Sequence, residues 1–117
     1  MQIKTANTIL YCTHWEETVR FYREVLALDI LFSNDWFVEF KLNSNARLSV
    51  ADERRASIKS NKGKGITISL RIDSLQKLFQ YMKEYNYKPS TIKKIWGKDQ
   101  FFVFDPEGNR IEFWTDD

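Results

Sequence analysis

Phe101-Phe-Val-Phe-Asp-Pro-Glu-Gly-Asn-Arg-Ile-Glu-Phe-Trp114 reads as two strands joined by a tight turn. Pro106 presets φ for a turn corner, and Gly108 can take positive φ without a steric penalty, so Asp105 to Asn109 has the chemistry to reverse the chain. Side chains alternate along a strand. On the return strand Ile111 and Phe113 therefore share one face, and Arg110, Glu112 and Trp114 share the other. If the apolar pair faces a core, Glu112 faces whatever the opposite side holds. A carboxylate amid apolar strand residues requires a partner or a function.

Working back from this hairpin, the preceding segments repeat one plan twice. Ile3 to Cys12 is a β-branched, partly alternating run, and Thr13-His14-Trp15-Glu16 has the form of a capping box. Trp15, Val19, Tyr22 and Leu26 then recur at helical spacing as a core stripe. Three strands are expected next, at Asp29 to Ser33, Trp36 to Leu42 and Ala46 to Ala51. A polar, basic stretch closed by glycines, with Arg54, Arg55, Lys59, Lys62 and Lys64, reads as a solvated linker over 53–64. The second pass is a strand at Ile66 to Ile72 and a cap at Asp73-Ser74-Leu75-Gln76. Leu75, Leu78, Phe79, Met82 and Tyr85 make its helical stripe, and strands are expected at Lys88 to Ile92, Phe101 to Phe104 and Asn109 to Trp114. Aligning the caps pairs Asn7 with Thr67, and aligning Arg47-Leu-Ser-Val50 with Arg110-Ile-Glu-Phe113 pairs Ser49 with Glu112. The two offsets, sixty and sixty-three, differ by one short loop insertion. A duplicated βαβββ module, one copy over 1–52 and the other over 65–117, within a single α+β domain, is the simplest account.

Composition narrows the function. A chain of 117 residues with net charge +2 has no long-range field for gathering polyanions, which argues against nucleic acid. No apolar stretch approaches the ~18 residues of a membrane span, and the N-terminus does not read as a secretory signal. The single cysteine, Cys12, lies in an apolar strand and suits a reducing compartment, so a cytoplasmic protein is expected. Four Trp and nine Phe are more aromatic side chains than a minimal core requires, and some are expected to line a cavity.

Four pieces in this order, Asn7-Thr-Ile-Leu-Tyr-Cys-Thr13, Phe21-Tyr-Arg-Glu-Val-Leu-Ala-Leu28, Ile68 to Leu75 and Phe104 to Trp114, resemble the vicinal oxygen chelate superfamily. That superfamily includes glyoxalase I, bleomycin-resistance proteins, fosfomycin-resistance enzymes and extradiol dioxygenases. The resemblance implies two βαβββ modules whose curved mixed sheets enclose a concave site, usually in a homodimer. It also implies a divalent metal held by His, Gln or Glu from the first strand of each module and Glu from the last. By register those positions are Asn7, Ser49, Thr67 and Glu112, and only Glu112 is a strong ligand. A single carboxylate with neutral amide and hydroxyl oxygens holds a transition metal weakly. His14, the lone histidine, falls at a helix start beyond the strand. No cofactor is therefore expected, the alternative being a divalent metal at Glu112.

Strand alternation points Asn7, Tyr11, Arg47 and Ser49 of the first module and Thr67, Ser69, Arg71, Arg110, Glu112 and Trp114 of the second toward the concave face. Trp36, Phe40 and Trp96 are further aromatic candidates, although Phe37 and Val38 leave the facing of Trp36 and Phe40 open. A mixed cationic, polar and aromatic lining suits a planar polar small molecule. The first functional reading is thus a metal-free binding protein resembling the bleomycin-resistance proteins of antibiotic resistance. The alternatives are a metal-dependent lyase, isomerase or dioxygenase-type enzyme using Glu112, a metal-free enzyme with Glu112 as catalytic base, and an interaction module with a filled cavity.

Overall fold

The structure, a computed structural model, describes residues 1–116. Backbone contacts divide the chain into two compact units, Met1–Gly63 and Lys64–Asp117.

In the first unit β1 (Ala6–Cys12) leads into α1 (Trp15–Arg20), and β2 (Ile30–Ser33), β3 (Phe37–Asn43) and β4 (Ala46–Asp52) follow. The sheet order is β1-β4-β3-β2, with β1 parallel to β4 and the other neighbours antiparallel. Alternation sorts the side chains. Leu10, Cys12, Val38, Phe40, Leu48 and Val50 are buried on the face that receives the helix, together with Val19, Phe21 and Tyr22. Cys12 is fully buried and behaves as a small core side chain. The helix is shorter than its apolar stripe suggests. Beyond Arg20 the chain relaxes into a π-helical turn, Phe21–Val25, in which the Leu26 amide reaches back to the carbonyl of Phe21. This shift brings adjacent Phe21 and Tyr22 both into the core, with ring centroids 5.1 Å apart. The N-cap position falls on His14, one residue later than the Thr13 of the expected box; the His14 side chain makes no cap hydrogen bond, and Thr18 Oγ1 donates to the His14 carbonyl at 2.7 Å.

In the second unit β5 (Thr67–Arg71), α2 (Leu75–Glu84), β6 (Lys93–Ile95), β7 (Lys98–Phe104) and β8 (Arg110–Thr115) repeat the plan, in the order β5-β8-β7-β6. Leu75 and Met82 of α2 are buried with Phe101, Val103, Ile111 and Phe113, so the core side of the final hairpin is the one its alternation dictates. Here too the helix start has no side-chain cap bond, at Ser74. The strand expected over Lys88 to Ile92 is not one. Pro89 has no amide to give, Asn86 and Lys88 take positive φ, and Ser90 instead ties the segment to β7 by accepting from Phe102 N on its hydroxyl and donating its own amide to Phe102 O. The true sixth strand lies later. It joins β7 through the two residues Trp96 and Gly97, at φ 52° and 77°, the paired positive values of a type I′ hairpin turn.

The two units share a register that exposes the repeat. Ser49 of β4 sits opposite Ile9 of β1 and Glu39 of β3, and Glu112 of β8 sits opposite Ser69 of β5 and Phe102 of β7. The offset is sixty through the first strand and helix and sixty-three through the last two strands. The three additional residues therefore lie between α2 and β7.

The stretch after β4 is exposed along most of its length but is held by bonds of its own. Asp52, nearly fully buried, accepts from the Arg54 amide and its Nε and Nη2, the last at 2.7 Å. Glu53 Oε1 accepts from Ser60 N, Lys59 Nζ donates to the carbonyls of Glu53 and Ala56, and Arg55 pairs with Asp35 at 3.3 Å. Several of its charges are thus spent on folding the segment back on itself.

Candidate ligand-binding site

The turn ahead of β8 fixes where its functional face points. Asp105, almost fully buried, accepts from Glu107 N and Asn109 N on Oδ1 and from Asn109 Nδ2 on Oδ2, all at 2.9 Å. Gly108, at φ 94°, donates its amide to the Asp105 carbonyl. Two residues beyond this anchor the non-core face of β8 begins with Arg110.

Glu112 occupies the centre of that face, its side chain 20% exposed. Ser69 Oγ donates to its Oε1 at 2.8 Å, and Arg110 Nη2 approaches Oε2 at 3.4 Å. The Arg110 guanidinium lies over the Phe102 ring at 4.3 Å, while its Nε is covered and has no hydrogen-bond partner. Trp114 is approached from both flanking strands: Lys98 of β7 lies 4.7 Å from its ring centroid and Arg71 of β5 lies 5.7 Å away, Arg71 being paired with Asp116 at 2.8 Å. Arg71 and Asp116 line a separate hollow beside Ile72, Asp73 and Thr115, whereas Glu112, Ser69, Arg110, Trp114 and Lys98 line a concavity of about 400 Å³. Ser69, Arg110, Glu112 and Trp114 form its floor with Gln100 and Lys98, and Ile95 and Trp96 of the β6–β7 hairpin stand at its edge. Trp96 is 95% exposed.

The expected face is therefore assembled in the second unit, and Thr67 belongs to it opposite Arg110. In the first unit Asn7, Tyr11, Arg47 and Ser49 share the equivalent face. Ser49, fully buried, donates to Asn7 Oδ1 at 2.9 Å. Arg47 is differently placed from its counterpart Arg110. Its Nε is 3.5 Å from Glu39, and its Nη1 donates to the carbonyl of Asn43 at 2.9 Å and also reaches those of Ser44 and Ala46. Phe40 is not a site residue: it is fully buried on the helix-facing side of β3, its ring 6.0 Å from Tyr22. Trp36 precedes β3 with its ring 5.7 Å from Phe37, and it lines none of this concavity. His14 is largely exposed and pairs with Glu17 at 3.4 Å. Lys98, Gln100, Ile95 and Phe102 were not anticipated. Extending the β7 alternation back from Phe104 through Phe102 to Gln100 and Lys98 would have found three of them.

A family model described as the Glyoxalase/Bleomycin resistance protein/Dioxygenase superfamily matches residues 4–113. The chain belongs to that superfamily. Solved structures with the same fold include a lactoylglutathione lyase from Agrobacterium tumefaciens, with TM-score 0.79 at 17% identity over 94% of this chain and 91% of that one. A putative glyoxalase family protein from Bacillus anthracis gives TM-score 0.76 at 18% identity over 100% and 96% of the two chains. A glyoxalase/bleomycin resistance protein from Streptomyces sp. CB03234 gives 0.74 at 18% identity over 93% and 97%. No curated protein sequence matches the chain.

Membership in the superfamily raises the question of a divalent metal, and the donor set answers it poorly. Among the described residues no three His, Cys, Asp or Glu side chains gather. Of the four positions that correspond to metal ligands, Ser49 donates its hydroxyl to Asn7, Thr67 offers a neutral hydroxyl, and Glu112 is engaged by Ser69 and Arg110. A cation beside the carboxylate opposes a second cation at the same oxygens. These residues do not fit a tightly held transition metal.

Proposed function

We propose that this chain is a small-molecule-binding member of the superfamily that recognises or sequesters a planar polar or aromatic ligand without a tightly bound metal. The observation that carries the reading is the concavity of the second unit, whose lining holds a paired carboxylate and guanidinium together with the indole of Trp114 and the exposed indole of Trp96. Aromatic faces contribute contact area at little conformational cost, and a few fixed polar groups set orientation. The same arrangement suits binding better than turnover, because Glu112 already accepts from Ser69 and faces Arg110, so neither oxygen is poised on a reacting atom. The bleomycin-resistance relatives are the functional analogy this supports. A homodimer in a reducing, cytoplasmic compartment completes the proposal; among the described residues no helix is long and apolar enough to cross a membrane.

The test is a thermal-shift screen of flat heteroaromatic and acidic compounds on protein with and without EDTA. Ligand linkage raises the melting temperature by an amount set by affinity and concentration. The proposal expects hits whose shifts are the same in both arms. Hits that vanish on chelation and return with added Zn²⁺, Ni²⁺, Mn²⁺ or Fe²⁺ would overturn it in favour of a metal-dependent enzyme.

A further inference from the structure

The internal repeat provides a comparison within one chain, because Arg47 and Arg110 hold the same register position in the two modules. Arg47 stands diagonal to Glu39, and Arg110 stands diagonal to Phe102, the residue equivalent to Glu39. Arg47 is tied to its own module: a carboxylate lies 3.5 Å from its Nε and three backbone carbonyls take Nη1. Arg110 has lost the corresponding carboxylate. An aromatic ring takes its place at 4.3 Å, no backbone carbonyl among the described residues accepts from its guanidinium, and its one carboxylate contact, Nη2 to Glu112 at 3.4 Å, is about as long as that of Arg47; its Nε–H is covered and unsatisfied. Stacking on a ring holds a guanidinium in plane without consuming its N–H groups.

The charges around the concavity point the same way. Lys98 has no ion pair among the described residues and lies over Trp114, whereas the neighbouring Arg71 and Lys94 are matched by Asp116 and Asp99. Lys98 and Arg110 therefore stand against the single carboxylate of Glu112, leaving one positive charge unmatched at a site walled by aromatic rings. A dianion would meet Glu112 at close range, but a monoanion balances the site. A carboxylate matches the planar fork of an arginine in bidentate geometry.

Resting on the binding function proposed above, we infer that the ligand is a monoanionic aromatic carboxylate. Its carboxylate meets the Nη groups of Arg110, Lys98 supplies the unmatched positive charge of the site, and its ring lies toward Trp114 and Trp96. Arg110 is the specificity-determining residue, whereas Arg47, its counterpart, is a structural one.

The experiment is isothermal titration of the full chain with benzoate, 2-naphthoate and indole-3-carboxylate, each beside its uncharged primary amide. At least one acid should bind about tenfold or more tightly than its amide. Arg110→Gln should lower the affinity for that acid by about tenfold while leaving the amide within about twofold. Arg110→Lys, which keeps the charge but not the fork, should fall between. Arg55→Gln removes a cation paired with Asp35 outside the concavity and should change neither. Equal affinity for acid and amide, or an Arg110→Gln variant that weakens both alike or neither, would overturn the inference while leaving a binding protein. Absence of binding by every acid and amide would remove both proposals together.

Discussion

Replacing Asp105 by alanine should destabilise the protein more than any other single change at a turn. The carboxylate is only 4% exposed and satisfies Glu107 N, Asn109 N and Asn109 Nδ2 at 2.9 Å each. Glu107 and Asn109 are themselves buried, so water does not readily replace the lost acceptor. Each orphaned donor costs about 1–3 kcal/mol. The three share one acceptor and relax together, so the sum is an upper limit, and a loss of at least about 3 kcal/mol is expected. Against a total of about 5–15 kcal/mol this is a large fraction, and it should lower the melting temperature by about 10 °C or more. Arg110 and Glu112 follow the turn directly, so ligand affinity should suffer in the same variant. Urea titration followed by circular dichroism measures the loss. Asp105→Asn keeps one oxygen for the two backbone donors and should cost less. Asp35→Ala, which breaks an exposed pair with Arg55, should cost under about 1 kcal/mol. An Asp105→Ala variant within about 1 kcal/mol of the parent would refute the account of this turn.

Further outcomes follow from the same geometry. Phe40→Ala removes a fully buried ring from the helix-facing core and should cost about 3–5 kcal/mol; the milder Phe40→Leu should leave ligand affinity unchanged, because Phe40 does not reach the site. Trp96→Asn places the preferred residue at the first position of a type I′ turn and should preserve or raise the melting temperature while weakening aromatic ligands in titration. Glu112→Gln removes the competitor for Arg110, so affinity for aromatic carboxylates should rise by up to about fivefold. Hydrogen bonds from Arg54 hold the Asp52 carboxyl below its ordinary value of 3.8, and burial only partly offsets them. The stability this contributes is present above that value and is lost as pH falls through the lower folded-state value. Asp52→Asn should accordingly flatten the acid limb of a urea-midpoint profile taken below about pH 4.

The parts of the fold legible in the sequence are those where one periodicity acts alone. Ile111 and Phe113 alternate with Arg110, Glu112 and Trp114, so a single strand rule assigns both faces. Phe40 was not legible because Phe37, Val38 and Phe40 put apolar groups on both sides of β3, and only packing against Tyr22 decides between them. The sixth strand was misplaced because Lys88 to Ile92 carries β-compatible residues, whereas the defining turn lies in Trp96-Gly97, where the tryptophan occupies a left-handed backbone position usually filled by Asn, Asp or Gly. At the second helix the N-cap falls on Ser74 without a side-chain bond, because an acid followed three residues on by an amide, Asp73 and Gln76, permits a capping box but does not compel it. At the site, the facing of Glu112 and Arg110 could be read in advance. Their surroundings could not, since the Phe102 ring under Arg110 and the two cations at Trp114 depend on strand register.

The central claim, recognition of an organic ligand without a resident metal, is tested most directly by elemental analysis of protein purified without chelators or added metal, paired with a titration of the same sample. The account predicts Zn, Ni, Mn and Fe each far below one equivalent per chain, with ligand binding intact. Close to one equivalent of any of them, retained through dialysis and lost in a Glu112→Gln variant, would contradict it.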